Sequence, residues 1–174
     1  MKVSSDLESV DGLVIPGGES TPMSLLIDSY NLRNPLKKYG ATHPVMGTCA
    51  GLIMMAKVVP DKRVNPLGFM DIVVDRNAYG RQINSSTEMV SFHFNSATKM
   101  ELSTTLIRAP KISEMGKDIH ILGEFNQSPV AVLSGHFLGL SFHPELDGIN
   151  IFHQILFDPT SSVYYKKINQ TYAA

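Results

Sequence analysis

The chain has 174 residues, of which 43% are hydrophobic and 18% charged, with a formal net charge of −1. That length suits one domain with a buried core and leaves no room for two ordinary domains. A near-neutral chain without a basic cluster has no electrostatic footprint for nucleic acid, and no apolar run is long enough to span a membrane. The start, Met1-Lys2-Val3-Ser4-Ser5-Asp6, lacks the apolar stretch of a signal peptide, and a single cysteine cannot close an internal disulfide. The expected compartment is therefore the reducing cytoplasm.

Asp11-Gly12-Leu13-Val14-Ile15 reads as a short buried strand cut off by Pro16-Gly17-Gly18. Glu19, Ser20 and Thr21 follow, and Pro22 suits the first turn of a helix running to about residue 30. A glycine loop before a helix can cradle phosphate, but no Gly-Lys-Ser/Thr follows and the spacing is not that of a dinucleotide fingerprint. What the loop offers is backbone N–H groups facing a ligand, with Glu19 and Ser20 as polar handles. A polar connection over 34–41 then leads to the stretch on which the chain is organised, His43-Pro44-Val45-Met46-Gly47-Thr48-Cys49-Ala50-Gly51-Leu52. Glycines two places before and two after Cys49 allow the cramped strand-to-helix turn of a nucleophile elbow, and the start of the next helix should favour the thiolate. The competing reading is a small buried apolar residue. Met54 and Met55 in the helix read as core filler.

Two strand, loop, helix units in succession give an α/β fold with a mainly parallel sheet, and ligands of such sheets bind beyond the carboxyl ends of the strands. From Leu67 a strand ends in the polar loop Arg76-Asn77-Ala78-Tyr79-Gly80-Arg81-Gln82, whose arginines could be ordinary solvated charges. Short strands over 89–94, 105–108, 119–125, 130–133 and 137–142 are spaced as antiparallel hairpins that extend the sheet. The last delivers Ser141-Phe142-His143-Pro144-Glu145 ahead of a final amphipathic helix over 149–157. A carboxylate two residues from a histidine can fix its tautomer and leave the other ring nitrogen for proton transfer, which is what a cysteine nucleophile needs. The alternatives are a histidine beside a surface glutamate and a metal site. For the metal reading two ligands are too few and no third is obvious.

With Gly17-Gly18-Glu19-Ser20-Thr21, Gly47-Thr48-Cys49-Ala50-Gly51, Arg76 to Gln82, Ile107-Arg108-Ala109-Pro110 and Ser141 to Glu145 in order, the chain resembles one family. It is similar to the glutaminase subunits of pyridoxal 5'-phosphate synthase, the PdxT/SNO family of class I glutamine amidotransferases. The cysteine elbow and His-Pro-Glu are shared by many triad amidotransferases; the other three stretches are specific to this family. The resemblance implies a flavodoxin-like, mainly parallel sheet with helices on both faces and an amidotransferase domain over 1–158; beyond the family pattern, the polar composition of 159–174 suggests a loosely held tail. It implies hydrolysis of L-glutamine to glutamate and ammonia, without cofactor or metal, and transfer of the ammonia to a separate barrel-shaped synthase subunit making pyridoxal phosphate. Cys49, His143 and Glu145 fall on its triad; Gly18, Glu19, Ser20, Arg76, Ile107 and Arg108 fall on its glutamine-binding positions. Backbone N–H groups near Gly18 and Ala50 are the implied oxyanion donors.

The family begins with a strand, a turn and a helix ahead of the strand before Gly-Gly-Glu-Ser-Thr, and these are missing here. On that ground the chain is expected to be an incomplete version of a longer protein, aggregation-prone and weakly active as given. Two other functions remain open at this point: a binding or regulatory homologue that keeps the site without turnover, and a triad amidotransferase serving another synthase. The stretches 76–82 and 107–110 argue against the second.

Overall fold

A computed structural model describes residues 4–76 and 85–173. A 3₁₀ turn (Ser4–Ser9) leads to strand β1 (Leu13–Ile15), helices α1 (Ser20–Ser29) and α2 (Arg33–Gly40), strand β2 (Val45–Thr48) and helix α3 (Ala50–Met55). Strands β3 (Ala56–Val58), β4 (Met70–Asp75), β5 (Ser85–His93), β6 (Lys99–Ile107), β7 (Lys111–Met115), β8 (His120–Phe125), β9 (Ser128–Ser134) and β10 (Phe137–Leu140) follow. A second 3₁₀ turn (Pro144–Asp147) precedes helices α4 (Ile151–Phe157) and α5 (Tyr165–Ala173).

Seven strands form one sheet in the order β1-β2-β10-β9-β8-β5-β6. β1, β2 and β10 run parallel, with Ile15 opposite Gly47 and Gly47 opposite Gly139; from β10 onward every pairing is antiparallel. The α/β fold and its antiparallel extension are those expected, with the extension holding more strands than the parallel part. A three-stranded sheet, β3-β4-β7, stands beside it.

Alternation along the strands divides the interior into two cores. Val45 and Val132 belong to one, with Leu36, Leu52, Met54 and Met55; Met46, Ala131 and Leu133 belong to the other, with Phe92, Phe142, Phe152 and Ile168. Helices therefore cover both faces. Every residue of α3 is buried, and glycines under it make that possible: a Cβ on Gly47 would lie 2.7 Å from the Gly51 carbonyl and one on Gly139 would lie 2.6 Å from Leu52. Met54 and Met55 are both fully buried, as core filler should be; such side chains contribute roughly 1.5–3 kcal/mol each.

Strand β7 and the separate β3-β4-β7 sheet were not expected, β6 extends well ahead of the expected 105–108, and two further segments differ from expectation. The connection over 34–41 contains α2, whose Leu36 and Tyr39, with Leu32 just before it, are buried on one face while Pro35 sits harmlessly in the first turn. The tail is not loose: Val163 and Ile168 are buried in the second core, Asn169 Nδ2 donates to the Gly135 carbonyl at 2.9 Å, and Tyr172 stacks on His120 with ring centroids 4.1 Å apart. No helix among the described residues is long and apolar enough to cross a membrane.

Candidate active site

The parallel strands put three sequence-predicted segments at one end of the sheet. β1 ends at Ile15 and runs into Pro16-Gly17-Gly18; β2 ends at Thr48, one residue before Cys49; β10 ends at Leu140, opposite Thr48 and three residues before His143. The Cys49 amide donates to the Leu140 carbonyl at 2.8 Å, which pins the turn carrying the sulfur to the strand carrying the histidine.

Cys49 has φ 49° and ψ −105°, a conformation that costs a non-glycine residue free energy and persists only where its surroundings enforce it. Close packing enforces it here. Gly51 lies so near β1 that a Cβ on it would overlap the Ile15 carbonyl oxygen, and Gly47 faces Gly51 across the turn. This is the elbow that the two glycines predicted. The electrostatics differ from expectation. Burial pushes the Cys49 thiol up, and that outweighs the Ala50 N–H and the Arg108 guanidinium, which favour the thiolate; Glu145 and Glu19 push it up further. Burial thus favours the thiol over the thiolate.

His143 Nδ1 lies 2.8 Å from Glu145 Oε1. An ionised carboxylate only accepts, so Nδ1 carries the proton and Nε2 is left with its lone pair. The histidine side chain is 17% exposed, against 54% for Glu145, so the ring is walled in while its carboxylate reaches solvent. Part of that wall is Gly17: a Cβ there would overlap His143 Cε1 and lie 2.9 Å from Nε2. Gly18, at φ 138°, has open space where a side chain would be. One glycine of the loop is needed for contact with the imidazole and the next for its backbone angle.

Arg76 is not a solvated charge. Its side chain is 15% exposed, its Nη1 donates to Ser20 Oγ at 3.0 Å and to Thr21 Oγ1 at 2.5 Å, and its Nε sits 3.5 Å from Asp61 Oδ2. Asp61, which the sequence did not single out, also takes a bidentate contact from Arg63, and that contact first, with Arg76 beside it, holds its carboxyl far below the usual range. Arg108 follows Ile107 at the end of β6 with φ 43°, and its guanidinium lies 3.4 Å from Glu19 Oε1. Both partners are about three-fifths exposed, so the pair is weak and open to competition from a ligand. Asn77 to Gln82, with Arg81, lie outside the described residues. Among the described residues no three metal-type side chains converge.

A cysteine elbow and an oriented histidine thus lie on adjacent parallel strands, with arginines and a glycine loop around them. The model of the SNO glutamine amidotransferase family matches residues 1–158, and the chain belongs to that family. It is 46% identical over 155 residues to pyridoxal 5'-phosphate synthase subunit PdxT of Shouchella clausii, covering 88% of this chain and 78% of the relative. The PdxT subunit of Dehalococcoides mccartyi is 38% identical over 178 residues, covering all of this chain and 86% of its own. A crystal structure of a glutamine amidotransferase superposes with a TM-score of 0.82 at 30% identity, over 91% of this chain and 83% of that one.

Proposed function

We propose that this protein is the glutaminase subunit of a pyridoxal 5'-phosphate synthase, hydrolysing L-glutamine to glutamate and ammonia and passing the ammonia to a barrel-shaped synthase subunit. The observation that carries the reading is the pairing of relatives named as that subunit with an oriented His143–Glu145 pair one strand away from the Cys49 elbow.

In this reading His143 Nε2 takes the Cys49 proton as the sulfur attacks the side-chain amide carbon of glutamine. The same proton goes to the leaving nitrogen, ammonia departs, and a thioester remains. Water activated by His143 then releases glutamate. Glu145 holds the imidazole tautomer and steadies its charge without moving a proton itself. The N–H groups of Gly18 and Ala50 are the donors for the oxyanion, each worth on the order of 3 kcal/mol when aimed at it. Arg108 and Arg76 offer charge-assisted bonds to the α-carboxylate. Glu19 serves the α-ammonium, with Ser20 and the Ile107 backbone completing recognition. Arg108 and Glu19 already face each other across the site, so a zwitterion can exchange their mutual contact for two of its own.

The test is ammonia release from glutamine by the full chain, alone and with the barrel subunit. Cys49→Ala should lower turnover on the order of 10⁶-fold while glutamine still binds, and a glutamine-derived diazo-ketone should label the wild type on Cys49. Addition of the barrel subunit should raise wild-type turnover, because a glutaminase uncoupled from its acceptor wastes substrate. Retention of most activity by Cys49→Ala would remove the triad assignment.

A further inference from the structure

The two halves of the site sit on different parts of the fold, and one carboxylate joins them. Asp147 closes the 3₁₀ turn that begins one residue after His143, and its two oxygens each take a hydrogen bond from Thr105: Oδ2 from the backbone N–H at 2.7 Å and Oδ1 from the hydroxyl at 2.6 Å. Thr105 lies on β6, two residues before Ile107 and three before Arg108. Among the described residues β6 is the last strand of the sheet, so N–H groups on its outer side pair with no strand there, and Asp147 occupies one of them. The Thr105 hydroxyl is also 3.2 Å from that of Thr87, its partner on β5, which extends the chain of hydrogen bonds into the hairpin.

We propose that Asp147 is a positioning residue: it fixes the His143–Glu145 turn against the β6 end that carries Ile107 and Arg108, so that the base and the substrate-binding arm keep one relative geometry. The inference rests on the glutaminase reading for the role of β6. The turn is rigid enough to transmit the constraint. Leu146 N–H donates to the His143 carbonyl at 3.1 Å, Ile149 N–H to the Pro144 carbonyl at 2.9 Å, and Gly148 ends the turn in the left-handed region at φ 65°. Two bonds from one residue fix direction as well as distance, and a misplacement of about 1 Å at a reacting centre can cost roughly a hundredfold in rate.

The experiment compares Asp147→Ala, Thr105→Val and Thr105→Ser with the wild-type full chain. It measures Cys49 alkylation by iodoacetamide, labelling by the diazo-ketone, and glutaminase kcat and KM, with melting curves alongside. Asp147→Ala should slow alkylation and lower kcat/KM about tenfold or more through both kcat and KM. Thr105→Val, which keeps the backbone bond, should show a smaller loss of the same kind, and Thr105→Ser should restore wild-type values. Should Asp147→Ala fail to fold, the Val and Ser pair decides alone. Folded Asp147→Ala or Thr105→Val with unchanged rates overturns the proposal, even if melting falls, because that is a structural role only. A wild type inert to the diazo-ketone, with iodoacetamide still slowed by Asp147→Ala, overturns the glutamine reading and leaves the positioning of His143 standing.

Discussion

The parallel part of the main sheet and its antiparallel arm build the site in different ways. In β2 and α3 every residue is buried, Gly47 and Gly51 stand where the turn closes against itself and against β1, and the strained Cys49 backbone is held between them. In β5 and β6 the first residues of each strand are exposed or half-buried, and Met89 is 62% exposed. Cys49 and His143 come from the close-packed part; Ile107 and Arg108 come from the open one. The contrast teaches that the Cys49 backbone is set by packing, which is insensitive to salt and pH, whereas the β6 end is set by a few polar contacts that can be removed singly.

The largest expected effect tests how far packing alone activates the sulfur. His143→Asn should lower glutaminase turnover on the order of 10⁶-fold, nearly as much as loss of the nucleophile, since a triad acts as a unit. The variant also exposes the thiol's own ionisation. Burial disfavours the charged thiolate, so the alkylation rate should rise only at a pH above that of an ordinary cysteine. An iodoacetamide profile inflecting at or below the ordinary thiol value would mean that the Ala50 N–H and Arg108 make the thiolate without a base, and the burial argument would be wrong.

Next in size is an attack on the packing itself. Gly51→Ala would place a Cβ into the Ile15 carbonyl of the neighbouring strand, and backbone cannot move aside as a side-chain end can. Overpacking of this kind costs about 1–3 kcal/mol. In a chain of this size that lowers the melting temperature by roughly 2–12 °C. Activity should fall with it even well below the melt, because β1 carries the Gly17 loop that walls His143. A melt and a turnover both like wild type would show that α3 can lift from the sheet without disturbing the elbow.

This division also governed what the sequence could reveal. The elbow, the Gly17-Gly18 loop and His143-Pro144-Glu145 were legible because their chemistry is local: glycines flank one cysteine, and a carboxylate stands two residues from a histidine. The parallel pairing of β1 and β2 followed from strand, loop, helix spacing, whereas β10, read among the antiparallel hairpin strands, is antiparallel to β9 but also lies parallel to β2. Asp61 and Asp147 were not legible. Each acts on a partner far along the chain, Arg76 and Thr105, and in sequence each stands in a polar turn like any other. The helix α2 was hidden by Asn34, Pro35 and Gly40, residues that usually mark a loop, although Leu32, Leu36 and Tyr39 carry its buried stripe. The tail was misjudged from composition, because one isoleucine inserted into the core and a ring stacked on His120 hold α5 despite its polar surface. The expected thiolate is opposed by the burial that the same packing imposes, which outweighs the Ala50 N–H and the Arg108 guanidinium.

The smallest expected effect lies on the recognition side and asks whether Arg76 is held or merely placed. Its guanidinium is shared between the Ser20 and Thr21 hydroxyls and the Asp61 carboxylate, so loss of the charge in Asp61→Asn leaves the hydroxyl contacts standing. At 3.5 Å the ion pair is long, and Arg63 competes for the same carboxylate. KM for glutamine should therefore rise only about two- to fivefold with kcat unchanged, the signature of binding lost equally from ground and transition states. The sign of any pH effect follows from the direction of the Asp61 shift. Arg63 and Arg76 hold its carboxyl far below the usual range, so it stays ionised throughout neutral and mildly acidic assays, and the KM ratio of variant to wild type should be flat there. A ratio that changes with pH between mild acid and neutrality, or a loss confined to kcat, would place Asp61 in the proton chemistry rather than in the support of Arg76.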